Sequence, residues 1–157
     1  MHAVRHYKTI YDSYSLLLLA TSCHILQIGA IGPDGQQFSC EVQPKEGITE
    51  GASNVNGYYI NTNGQLKNTR RTVVPESVLP IGQALNQLLQ FLRGYENPIM
   101  CAHNGRKFDD VVLKTALENT NLVAQFVNIV HGFLDTMHLF KDAFPLRCRL
   151  LQTTIFS

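Results

Sequence analysis

Residues 98–110, Pro-Ile-Met-Cys-Ala-His-Asn-Gly-Arg-Lys-Phe-Asp-Asp, restrict the architecture of this chain more than any other stretch. Ile99, Met100, Cys101 and Ala102 have the length and polarity of a short buried strand. His103, Asn104 and Gly105 make a polar turn, and Asp109 and Asp110 open a segment whose apolar spacing predicts a helix. Strand, turn and helix in that order belong to α/β domains, where functional groups gather beyond the carboxyl ends of strands. His103, Asn104, Phe108 and Asp109 are thus candidates for a place where an acidic group meets a metal ion or a phosphate. The aspartates also have a plainer reading. A carboxylate at a helix start accepts backbone N–H groups and suits the helix dipole, so Asp109, or alternatively Asp110, serves as an N-cap.

Other segments agree with a mixed α/β sheet. Residues 25–31 are apolar and partly β-branched, Gly32-Pro-Asp-Gly35 is a turn, and residues 37–42 alternate polar and apolar. Together they predict a β-hairpin. Residues 44–72 are rich in Gly, Asn and Thr and read as a long polar connection. Across residues 78–92, Ile81, Leu85, Leu88 and Leu92 share one face with Ala84 and Leu89 beside it, which predicts a helix entered through Pro75-Glu76-Ser77 and stopped at Gly94. Val112, Leu113, Ala116 and Leu117 give the helix after Asp109 its apolar face, and residues 119–121 end it. Asp135 and Thr136 cap a short helix that Pro145 stops.

Length and charge bound the rest. A chain of 157 residues is one domain with room for a sizeable core. Thirteen Lys+Arg against twelve Asp+Glu give a net charge of +1, which exerts no overall pull on nucleic acid but leaves room for a local basic groove. Cys23, Cys40, Cys101 and Cys148 have no zinc-ligand spacing, and Cys40 and Cys101 sit in strand-like runs as small hydrophobes. The leucines of residues 16–20 form too short a run for a signal core or a membrane span. The chain is expected to be soluble and intracellular, in nucleus or cytoplasm. Arg70-Arg71, Arg106 and Lys107 read first as solvated surface, Tyr58-Tyr59 as packing or a base-stacking pair, and His131 and His138 as structural.

His103-Asn104-x-x-x-Phe108-Asp109 resembles the second motif of the DEDD-type 3′–5′ exonucleases, the DnaQ-like group of the ribonuclease H-like fold. In the same order, residues 23–31 resemble that family's second strand, residues 32–35 its hairpin turn, and Ala52-Ser-Asn-Val-Asn-Gly57 a segment near its substrate groove. Phe133-Leu-Asp-Thr136, Phe140 and Phe144-Pro145 resemble its later "DT…LF…FP" stretch. The resemblance implies a ribonuclease H-like mixed sheet with flanking helices, incomplete at both ends. Residues 1–22 stay unassigned, residues 23–145 form the exonuclease-like domain, and residues 146–157 a tail.

It also implies Asp109 as catalytic residue and metal ligand, Asp12 as a second ligand, and His103 and Asn104 as nucleic-acid contacts. The cofactor would be Mg2+ and the partner a single-stranded 3′ end, DNA or RNA, with no membrane involved. The family pattern is nevertheless broken here. If residues 7–11 are the first strand, Tyr14 stands where a glutamate belongs, and Glu41 is the first glutamate in the sequence. No acid follows Asp142 and no histidine follows His138. Paired magnesium ions roughly 3.5–4 Å apart need bridging carboxylates. The expectation is therefore a 3′–5′ exonuclease domain without hydrolytic competence; the alternative is a non-catalytic module binding nucleic acid or protein.

Overall fold

The leucine run is a strand. A computed structural model describes residues 13–21, 24–69, 78–107 and 109–138, and in it β1 (Ser13–Thr21) lies inside the sheet. It pairs antiparallel with β2 (His24–Ile31) and parallel with β7 (Ile99–Ala102). An apolar run without alternation, as at residues 16–20, is the sequence pattern of a strand covered on both faces. The expected first strand at residues 7–11, with Asp12 after it, lies outside the described residues. So do Phe108, Arg70, Arg71, the residues 75–77 taken as a helix entry, and the stretch from Phe140 to Pro145.

The expected hairpin is present. β2 pairs antiparallel with β3 (Gln37–Val42), and Gly35 takes the positive φ of 84° that the turn requires. Asp34 fixes this turn, accepting the Gln36 N–H at 3.0 Å and the Tyr95 hydroxyl at 3.0 Å. The chain after β3 is more structured than its composition predicts. Thr49 caps α1 (Glu50–Asn56), and Gly57 ends it in the left-handed conformation at φ 81°. β4 (Tyr58–Ile60) and β5 (Leu66–Asn68) then form a separate antiparallel hairpin. Its turn is built by Asn61 Oδ1, which accepts N–H groups from Asn63 and Gln65.

The helix predicted from residue 78 begins later, as α2 (Ile81–Leu92). Pro80 explains the difference. A residue before proline is pushed out of the helical region, so Leu79 stays extended and pairs with Val42 as part of β6 (Val78–Leu79). α3 (Asp109–Asn119) starts where the sequence places it; Asn121 turns the chain at φ 57°, and α4 (Val123–Val127) follows without having been foreseen. β8 (Gly132–Asp135) pairs parallel with β7 and completes the sheet order β6-β3-β2-β1-β7-β8.

α2, α3 and α4 cover one face of this sheet. Ala84, Leu85, Leu88, Leu89 and Leu92 of α2 pack with Leu113 and Leu117 of α3 and Phe126 of α4 against Ile28, Cys40, Val42 and Met100. On the other face, Leu26, Tyr58 and Leu66 form a smaller cluster that seats the β4–β5 hairpin. Among the described residues, no helix is long and apolar enough to cross a membrane. Leu88 is wholly buried at the centre of the larger core. Leu88→Ala should lower unfolding free energy by about 2–5 kcal/mol, as read from urea denaturation followed by circular dichroism.

Candidate functional site

Parallel pairing sets the site. Ala102, the last residue of β7, stands opposite Asp135, the last residue of β8, so both strands release their chains at one edge of the sheet. After β7 the chain turns through His103 and Asn104 into a 3-10 turn (Gly105–Lys107), and α3 begins at Asp109. The Asp135 carboxylate holds this loop. Its Oδ1 accepts the Asn104 N–H at 2.9 Å and the Met137 N–H at 2.9 Å, and its Oδ2 accepts the Arg106 N–H at 3.3 Å. Asp135 is thus a cap, as the sequence predicts, but it is also the tie between two chain segments.

The loop is tight. Asn104 adopts φ 63°, a left-handed conformation that asparagine tolerates better than most side chains. Gly105 is buried, and a Cβ there would lie 2.7 Å from Ala102 Cβ and 3.2 Å from Asp110 Oδ1. The Ala102 contact is what reserves this position for glycine, with the Asp110 carboxylate adding to the crowding. His103 is exposed, with Nδ1 3.2 Å from the Thr136 hydroxyl, whose own proton points to the Ala102 carbonyl at 3.4 Å. The hydroxyl thus joins the His103 ring to the end of β7 and leaves Nε2 on the far side of the ring.

The acids here differ in environment. Asp109 is buried in the first turn of α3. Burial raises the Asp110 carboxyl above its ordinary value, and the nearby Asp109 and Asp135 charges push it further, with Arg106 opposing them. For Asp135, burial also pushes upward, but the three N–H groups from Met137, Arg106 and Asn104 outweigh it and hold the carboxyl below its usual range.

Of the residues singled out from sequence, His103, Asn104 and Asp109 are brought to one loop, while Asp12 and Phe108 lie outside the described residues. Tyr14 pairs with Met100 and Ser15 with Cys101, so Leu16 follows at the level where β7 ends. Asp110 and Thr136 were missed as parts of the site; the only local signals were the doubled aspartate and the Asp-Thr pair after a strand. Among the described residues, no three His, Cys, Asp or Glu side chains converge as a ligand set for an ion. The described donors are therefore too few to fit a paired-magnesium site.

A mixed sheet with its hairpin beside β1, two further parallel strands on the other side, and an aspartate at the helix start beyond β7 defines a DEDD-type exonuclease domain of the ribonuclease H-like fold. The chain belongs to the family described as the Rv2179c-like 3′-5′ exoribonuclease domain, whose model matches residues 17–149. Solved structures of exonuclease I share the fold. An apo exonuclease I superposes with a TM-score of 0.65 at 13% identity, over 88% of this chain and 32% of its own. Exonuclease I from Methylocaldum szegediense gives 0.62 at 13% identity, over 87% of this chain and 31% of its own. Exonuclease I in complex with the inhibitor BCBP gives 0.61 at 13% identity, over 89% and 31%. This chain thus spans about a third of the length of those structures. Among curated proteins, none matches it.

The Asp135 bonds carry a pH dependence. A carboxyl held below its ordinary value of 3.8 stabilises the fold above that pH, and the contribution is lost as pH falls through the depressed folded value. Asp135→Asn should therefore cost about 1–3 kcal/mol at neutral pH, with the gap from wild type closing below about pH 4. Denaturant titrations across that range measure it, and a gap independent of pH would contradict the assignment.

Proposed function

We propose that this 157-residue chain uses the exonuclease fold to bind single-stranded nucleic acid ends and does not hydrolyse them. The observation that carries this reading is the register of β1 against β7. Ser15 pairs with Cys101 and Leu16 follows it, so the strand beside the Asp109 loop brings serine and leucine to the edge where a metal cluster would need acids. The sequence agrees, since no glutamate precedes Glu41.

A paired-metal hydrolase must balance two dications with bridging carboxylates, and magnesium keeps strict octahedral oxygen geometry. Asp109 is buried, Asp110 disfavours its own charge, and Asp135 is engaged by backbone N–H groups. Asp135 is committed to positioning the loop, and among the described residues no three His, Cys, Asp or Glu side chains converge to bridge two dications. The Asp135 clamp holds the 103–107 loop in one shape, and its exposed residues His103, Arg106 and Lys107 face solvent beside it. His103 Nε2, the Asn104 amide and the two cations are the groups that would meet a terminal nucleotide and its phosphates.

The test uses single-stranded DNA and RNA 15-mers carrying a 5′ fluorophore. With magnesium, release of mononucleotides by the wild-type chain should not exceed that of Asp109→Asn, while His103→Ala and Arg106→Gln should each weaken binding roughly 3- to 10-fold. Magnesium-dependent release that Asp109→Asn abolishes would overturn the reading.

A further inference from the structure

The β4–β5 hairpin separates two adjacent tyrosines. Tyr58 points inward, packs with Leu26 and Leu66, and donates its hydroxyl to Glu41 Oε2 at 2.6 Å. Tyr59, one residue on, lies on the opposite face and is 40% exposed. Its cross-strand partner is Lys67. The next pair outward on that face is Asn61 and Gln65, joined by a side-chain hydrogen bond of 3.1 Å. The solvent face of the hairpin is therefore one aromatic ring, one ammonium and two amides, with no carboxylate.

The sequence around it has the same bias. Between Glu50 and Glu76 there is neither Asp nor Glu, while Lys67, Arg70 and Arg71 all fall in that interval. In a chain whose net charge is only +1, this is a stretch of sequence with a positive bias; of its cations, Lys67 is the one whose place the structure describes, opposite Tyr59.

The hairpin is seated on the sheet face opposite α2, α3 and α4, against Leu26 and beside Glu41 near the end of β3. β3 and β1 are each antiparallel to β2, and β1 is parallel to β7. β3 and β7 thus run in the same direction, but the register sets the end of β7 level with Phe38, so β3 continues four residues, about 13 Å, beyond it. β3 leads into α1 and the hairpin, and β7 leads into His103. Three strand spacings, about 14 Å across the sheet, add to that offset, so the ends of β3 and β7 lie roughly 20 Å apart.

We propose that Tyr59 and Lys67 form a second contact surface for single-stranded nucleic acid, with Tyr59 stacking on a base and Lys67 meeting a backbone phosphate. This deepens the function proposed above and rests on it. An exposed ring suits any base, because every base has a π-face, and an ammonium across the strand pair supplies the charge that a phosphate backbone seeks.

Fluorescence anisotropy with labelled oligothymidylate and oligouridylate 15-mers tests the proposal. Tyr59→Ala should bind roughly 5- to 150-fold more weakly, whereas Tyr59→Phe, which keeps the ring, should bind as wild type. Lys67→Gln should reduce the steepness of log K against log salt by about 0.7, the loss of one phosphate contact on a single strand. Thermal melts by circular dichroism check that these variants fold, and Lys67→Gln keeps the test decisive if Tyr59→Ala does not. Equal losses on both oligomers support recognition of the shared base and phosphate chemistry, and a loss on oligouridylate alone supports it with RNA as the source. If the wild type binds and Tyr59→Ala and Lys67→Gln bind equally well, the hairpin surface is refuted while the function proposed above stands. If the wild type binds neither oligomer, both fall together.

Discussion

One carboxylate organises the polar end of this domain. Asp135 sits at the tip of β8 and gathers N–H groups from two loops that are far apart in sequence. A buried charge is costly unless hydrogen bonds replace its lost water, and here backbone amides do so. The exchange works both ways. The carboxylate is kept ionised, and the chain between β7 and α3 is held in a shape that includes a left-handed asparagine and a glycine with no room for a methyl group. The position of Asp109 follows from that shape, since α3 starts directly after the loop.

The same arrangement accounts for the contrast among the acids. Asp135 accepts N–H groups and stays charged easily; Asp110, close to two other carboxylates and partly shielded from water, resists charging. A hydrolytic site of this fold would spread such repulsion over bound cations. Here the repulsion is met by Arg106 and by the Asp135 hydrogen bonds. This contrast among the acids is one of the observations on which the proposed role, binding without hydrolysis, rests.

Much of the architecture could be read from residue order, for identifiable reasons. The β2–β3 hairpin announces itself through alternation around Gly-Pro-Asp-Gly, and α2 through its leucine spacing. Periodicity could not mark where α2 begins, because Val78 and Leu79 are apolar enough to extend the helical pattern and only the restriction imposed by Pro80 divides them from it. α1, β4 and β5 were hidden because they are short and polar, leaving Gly57 and the Asn-Gly turn as their only local marks. β1 was hidden for the opposite reason, since its uniform apolarity carries no period at all. At the site, Asp109 and His103 were legible as residue types next to a turn. The Asp135 clamp was not, because it joins positions 31 residues apart and no local pattern reports such a bond.

The tip of the β4–β5 hairpin is shaped by the Asn61 side chain and the left-handed Gly64, with Gln43 Nε2 donating to the Gly64 carbonyl at 3.4 Å. Chain length there is free to vary without touching the Asp135 bonds or the helix that carries Asp109. The domain thus divides into a fixed acidic corner and an arm that can be remodelled independently of it. Lengthening or shortening that arm would retune its reach while the corner kept its geometry.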